Sequence, residues 1–187
     1  MSLGYWKALF TTQASGTALT AAAAASMLPA QAALWTLPAG FLDKTGNQLL
    51  LEAEGSISCA VTTPGTARYD LRFGGTVVFD TLAMNLNIVA KVNVHWLLRV
   101  KLSVRVVGSA AVLMGQGTWT SEAVIGCALP TVGTSGVFTV PYNTAPANGA
   151  AFASNAAQTV DSYFTQTAAT GSMTCTQFGL YSPTTCD

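Results

Sequence analysis

Val94-His95-Trp96-Leu97-Leu98-Arg99-Val100-Lys101-Leu102-Ser103-Val104-Arg105-Val106 alternates apolar and polar side chains almost without a break. One parity carries Val94, Trp96, Leu98, Val100, Leu102, Val104 and Val106. The other carries His95, Leu97, Arg99, Lys101, Ser103 and Arg105, polar except for Leu97. Side chains on a strand point alternately to its two faces, so the pattern predicts a long β-strand with one face in a core. A helical period would scatter the same charges around a cylinder. At roughly 3.3 Å per residue the strand would run about 43 Å, about twice the common strand length. It is therefore expected to bend, or to extend past its own sheet.

The sequence on either side repeats the theme at short spacing. Residues 48–54 place Leu49, Leu51 and Ala53 on one face and Glu52 and Glu54 on the other. Gly55 reads as a parity shift at a bulge, ahead of Ile57, Cys59 and Val61. Thr63-Pro64-Gly65-Thr66 reads as a turn. Residues 67–73 send Tyr69, Leu71 and Phe73 inward and Arg68, Asp70 and Arg72 outward, and Gly74-Gly75 connects tightly to a strand at 76–80. Further strands are expected within 110–120, at 137–140 and at 172–181, with 182–187 a tail. Gly115 and Gly117 read as a turn or bulge, and residues 157–165 fit strand or helix equally. About eight or nine strands without recurrent helices predict an all-β chain, a jelly-roll-like β-sandwich. Parallel α/β architecture is excluded by the same lack of helices.

The expected body spans 35–187, and residues 1–34 read as an extended N-terminal arm. Tyr5, Trp6, Leu9 and Phe10 form an apolar cluster at its head, followed by a Ser/Thr/Ala stretch in which Ala21 to Ala25 fits a short helix. A stretch so poor in large side chains builds no core of its own. The arm is therefore expected to lie against something else, and Tyr5, Trp6, Leu9 and Phe10 are the candidate contacts with a sister subunit or a larger shell. A leader peptide is the competing reading, with Lys7 as its basic start and Ala30-Gln31-Ala32 as its cleavage site. Polar interruptions at Thr11-Thr12-Gln13 and Ser15-Gly16-Thr17 count against it. Residues 18–37 predict no membrane span, being mostly alanine and broken by Thr20, Ser26, Pro29, Gln31 and Thr36.

Charge is scarce. The 187 residues hold 8 Lys and Arg and 8 Asp and Glu, a charged share of 9 % and a formal net charge of zero. A typical share is about 25 %, and a surface this neutral favours association. Low charge also marks the centres of interfaces, so a subunit covered by partners is expected. Nucleic acid is not an expected partner, since phosphate binding needs concentrated Lys and Arg and the eight cations are spread from Lys7 to Arg105. Half of all charges lie on the outward parities of three strands; if these share a sheet, the charges pair across it.

Catalytic signatures are sparse. His95 is the only histidine, and a triad or metal site requires more groups around it. It reads as an exposed or hydrogen-bonded strand residue. Glu52 and Glu54 share a face at a spacing a glycosidase pair could use, but they oppose a row of Arg and Lys. Cys59, Cys127, Cys175 and Cys186 form no metal-binding spacing. They read as small buried hydrophobes, with Cys127 and Cys186 able to pair but not required to. No cofactor or metal is expected.

Several stretches carry a resemblance: Leu37-Pro38-Ala39-Gly40-Phe41-Leu42, Thr62-Thr63-Pro64-Gly65-Thr66, Leu71-Arg72-Phe73-Gly74-Gly75, Asn93-Val94-His95-Trp96 and Gly115-Gln116-Gly117-Thr118-Trp119. Together they resemble structural proteins of tailed-bacteriophage virions, and within that group the β-sandwich decoration or cement proteins of the head. The likeness covers about residues 34–181 and lies in strand order and turn dipeptides. It implies a non-enzymatic subunit that binds the outer head surface as a homotrimer, contacts the major capsid protein and stabilises the shell, in a virion assembled in the host cytoplasm. A tail, baseplate or receptor-binding β-module is the alternative. A secreted carbohydrate-binding enzyme or module is a third; it would show exposed aromatics around a cleft, whereas the aromatics here fall mostly on inward parities.

Overall fold

The computed structural model describes residues 5–60, 65–123, 136–169 and 171–184. Twelve strands run through these residues: β1 (Tyr5–Thr11), β2 (Ala25–Ser26), β3 (Thr36–Leu37), β4 (Gln48–Cys59), β5 (Thr66–Phe73), β6 (Thr76–Asp80), β7 (Met84–Asn85), β8 (Lys91–Val106), β9 (Val112–Ser121), β10 (Gly136–Val140), β11 (Gln158–Gln166) and β12 (Ser172–Thr184). One sheet has the order β1-β12-β4-β8-β9-β10. The other has β2-β11-β5-β6, with β3 joined to β11 and β7 to β5. The described pairings are antiparallel. The sandwich expected from the alternation is there, with six strands in each sheet where a simple jelly roll divides about eight between two.

The quoted stretch forms β8, at the middle of its sheet. Its inward row of Trp96, Leu98, Val100, Leu102 and Val104 is at most 2 % exposed. The row stops short of the prediction at both ends, since Val94 is only half-buried and Val106 is 47 % exposed. The register gives the reason. Before Trp96 the strand pairs with β4 alone, and beyond Val104 its register continues on β9 alone. The long strand outruns each neighbour in turn.

An aromatic cluster fills the space between the sheets. Tyr69 of β5 packs against Trp96 at 5.0 Å and Trp119 at 5.8 Å from the facing sheet, and against Phe164 at 5.2 Å from its own. Such pairs contribute roughly 0.5–1.5 kcal/mol each beyond area burial. Trp96 Nε1 donates to the Ser56 carbonyl at 3.2 Å. The Tyr69 hydroxyl and Trp119 Nε1 are buried without a bond that meets hydrogen-bond geometry. Burial pushes the Tyr69 phenol well above its ordinary range, against the opposing pull of the nearby Trp119 N–H.

Several expectations are corrected by the pairing. The segment read as an extended N-terminal arm lies against the chain's own two sheets: β1 pairs with β12, Leu19 bridges Met173, and β2 pairs with β11. Ala25 lies in β2 and not in a helix. A two-residue strand on a sheet edge satisfies its backbone there, which overrides the weak helical preference of alanine. Residues 182–184, read as tail, extend β12 alongside β1.

Gly55 shifts no parity, since β4 alternates strictly from Gln48 to Cys59. The bulge lies opposite, in β12, where Cys175 faces Gly55 and Gln177 faces Glu54. A Cβ on Gly55 would collide with the Thr174 carbonyl oxygen. Gly115 and Gly117 likewise sit in regular β9 pairing, opposite Leu102 and Val100. They are small because Phe79 and the Arg99 carbonyl come too close for a side chain. Gly74 and Gly75 do make the tight connection, at φ of 56° and 86°. The ambiguous stretch is strand β11. The turn read at residues 63–66 falls half, and Cys127 and Cys186 wholly, outside the described residues.

Candidate functional site

On β4 the odd-numbered side chains fill the core, so Leu50, Glu52 and Glu54 face outward. Register then fixes their neighbours. Glu52 lies between Gly179 of β12 and Arg99 of β8, and Glu54 lies between Gln177 and Leu97. Across β12, Thr11 of β1 stands opposite Gly179. Gly179 has no side chain, and the Tyr181 ring crosses the space a Cβ would occupy. The result is a trough along the outer face of the first sheet.

Two adjoining depressions make up the trough. One of about 470 Å³ is lined by Thr11, Glu54, Leu97 and Gln177 among others. The other, about 480 Å³, is lined by Trp6 and Leu50. Glu52, Arg99 and Tyr181 line both. Each volume lies within the roughly 300–1,000 Å³ common for ligand sites. Arg99 Nη2 forms an ion pair with Glu52 Oε1 at 2.5 Å, and His95 Nε2 lies 3.2 Å from Glu54 Oε2. The trough therefore combines aromatic surface, apolar floor, carboxylates, a guanidinium and a primary amide.

The predicted contact residues part company here. Leu9 and Phe10 pack against the core, with Phe10 stacked on Trp35 at 5.6 Å and tilted against Phe178 at 6.0 Å. Those two have a home within the sandwich, contrary to expectation. Trp6 stays 43 % exposed and borders the trough. Tyr5 opens β1 opposite Thr184. His95 is exposed and paired, as a strand histidine was expected to be. Gln177 and Tyr181 were not singled out by sequence. Their outward parity on the last strand was the available signal, but only the strand order places that strand between Trp6 and Glu52. Exposed Trp6 and half-buried Tyr181 thus border a depression, while the described aromatics fall mostly on inward positions, as expected.

The other sheet's outer face holds a network of a different kind. The three charged strands do not share one sheet, because β5 lies opposite β4 and β8. Its charges pair locally: Arg68 with Asp80, and Arg72 with Asp70 at 2.5 Å. Asp70, expected outward in solvent, is buried beneath that pairing. The Arg72 guanidinium lies 3.7 Å above the Tyr163 ring. Asp161 accepts from Ser26 Oγ at 2.7 Å, which pins β2. Burial holds the Asp161 carboxyl above its ordinary range, opposed by the Ser26 and Ser162 hydrogen bonds and by Arg72.

Cys59 and Cys175 are buried free thiols, as read from sequence. Burial pushes Cys175 up to about 12, which leaves it almost wholly protonated and unreactive near neutral pH. Among the described residues, no three His, Cys, Asp or Glu side chains gather to hold a metal. No helix among them is long and apolar enough to cross a membrane.

No family model and no curated protein matches the chain. Among solved structures it is similar to the CBM2 module of the evolved Dit of Lactobacillus casei BL23 phage J-1, at 10 % identity over 79 % of this chain and 67 % of that one. The TM-score is 0.30. A likeness that distant transfers neither family nor function.

Proposed function

We propose that this chain is a non-enzymatic structural subunit of a tailed-bacteriophage virion, acting through its surfaces. The observation that carries the reading is the state of its charge. Four bridges inside the chain engage half of its eight cations and half of its eight acids. Large apolar side chains meanwhile stand exposed at both ends of β8: Ile88, Val89 and Val92 before and within its start, Val106 and Val107 at its finish. A surface with little free charge and apolar ends gains from being covered by neighbouring subunits. The motifs resembling virion proteins supply the particle.

Within the particle, the sequence motifs favour a decoration or cement subunit, a homotrimer seated on the major capsid protein. The open trough favours the second position, a tail, baseplate or receptor-binding module, because a site with exposed aromatic and polar groups serves a subunit that meets ligands outside the virion. Of the two, we adopt the tail position. The experiment is imaging of virions with and without the protein. Density at the tail or baseplate is expected, density on the head would restore decoration, and loss from neither would refute the virion reading.

A further inference from the structure

We infer that the trough on the outer face of the first sheet binds a neutral polysaccharide chain. The inference deepens the receptor-binding reading and rests on it for its biological setting.

Four features point to that ligand class. Trp6 and Tyr181 offer apolar ring surface with a polar handle on each ring, suited to a partner that is apolar on one side and wet on the other. Sugar rings have that character, with C–H faces and hydroxyl rims. Glu52 supplies acceptors and Arg99 supplies donors beside the rings, while a hydroxyl both donates and accepts. Charge-assisted hydrogen bonds of this kind are the stronger ones.

Charge decides against the competing ligands. In the depression that holds Gln177, Glu52 and Glu54 face one arginine, so a polyanion meets repulsion there and a nucleic acid finds no concentrated cations. The side chains of an apolar peptide would strip water from the Glu52–Arg99 pair and return no hydrogen bonds of their own. A neutral polyhydroxylated chain satisfies the pair and stacks on the rings. Length follows from the geometry: the two depressions share Glu52, Arg99 and Tyr181, which favours an extended ligand over a single sugar.

The test uses the purified full chain and neutral gluco-, galacto- and rhamno-oligosaccharides, with uronic-acid oligosaccharides as the charged control. Binding is read from the indole N–H resonance of Trp6, assigned by its loss in Trp6→Phe, and from calorimetry. At least one neutral series should bind and shift that resonance. Trp6→Ala and Arg99→Gln should each weaken binding roughly tenfold, and Arg105→Gln, at the far end of β8, should not. Melting curves check that each variant folds; were Trp6→Ala to unfold, Arg99→Gln still reports. Absence of binding, binding indifferent to both variants, or binding of the acidic series alone would overturn the site. Glycan binding by a protein imaged on the head would leave the site standing and remove the tail reading. A tail location without glycan binding would do the reverse.

Discussion

Val100 and Lys101 are adjacent in the chain but belong to opposite sides of the first sheet, one fully buried and the other exposed. Val100→Asp should abolish folding, because an unpaired buried charge costs several kcal/mol. Lys101→Gln should cost under about 0.5 kcal/mol; equal tolerance of the two in thermal melts would refute the facing of β8. Asp161 gives a pH-dependent counterpart. Its carboxyl is raised above the ordinary value of 3.8 by burial, with the hydrogen bonds from Ser26 and Ser162 and the charge of Arg72 opposing. A carboxyl raised by folding holds its proton more tightly in the native state. Its contribution to stability is therefore greatest below the unfolded value and is lost as pH rises through the folded one. Asparagine keeps an acceptor for both serine donors without the charge. Asp161→Asn should thus melt higher than wild type at neutral pH, with the advantage fading as pH falls through the raised native value and gone below 3.8.

Among the elements, β1 and the β4–β12 ladder make the clearest predictions. β1 is the edge strand of its sheet, yet it carries Phe10 onto Trp35 and Phe178. Burying a side chain of that size contributes about 1.5–3 kcal/mol, a sizeable part of a total stability of about 5–15 kcal/mol. Deletion of residues 1–11 should lower the urea midpoint markedly. A truncated body as stable as the intact chain would show that β1 is an accessory strap. In the ladder, a methyl group on Gly55 would meet the Thr174 carbonyl, which the bulge in β12 brings close. Gly55→Ala should cost about 1–3 kcal/mol through overpacking, measured by denaturant titration, whereas an unaffected midpoint would mean that the ladder shifts freely.

For the whole molecule, the proposed contacts lie at the ends of β8. Ile88 and Val92 are exposed there, Val92 by 76 %. Sedimentation equilibrium of the purified chain should show self-association, with the trimer as the expected species. Ile88→Lys together with Val92→Lys should weaken it without lowering the melting temperature of the dissociated subunit. A monomer at every concentration, with the double variant indistinguishable, would remove these ends as subunit contacts.

Alternation of side chains is a local property, and it determined most of what was legible. The period of two marked β4, β5 and β8 as strands and assigned Trp96, Leu98, Val100, Tyr69 and Leu51 to the core, because a strand can bury only one parity. Two adjacent glycines marked the β5–β6 turn for an equally local reason, since both positions need positive φ. Strand order is not local. Nothing in residues 5–11 says that they pair with 179–184, and that pairing alone turns an expected arm into an edge strand and sets Trp6 beside Tyr181. Partner register decided the rest: Gly55 is small because of a bulge more than a hundred residues away in sequence, and Glu52 meets Arg99 and Gly179 only because β4 lies between β8 and β12. The faces of each strand follow from its own residues, but the trough exists only where four strands lie side by side, and backbone hydrogen bonding, which is the same for every sequence, does not announce its partners.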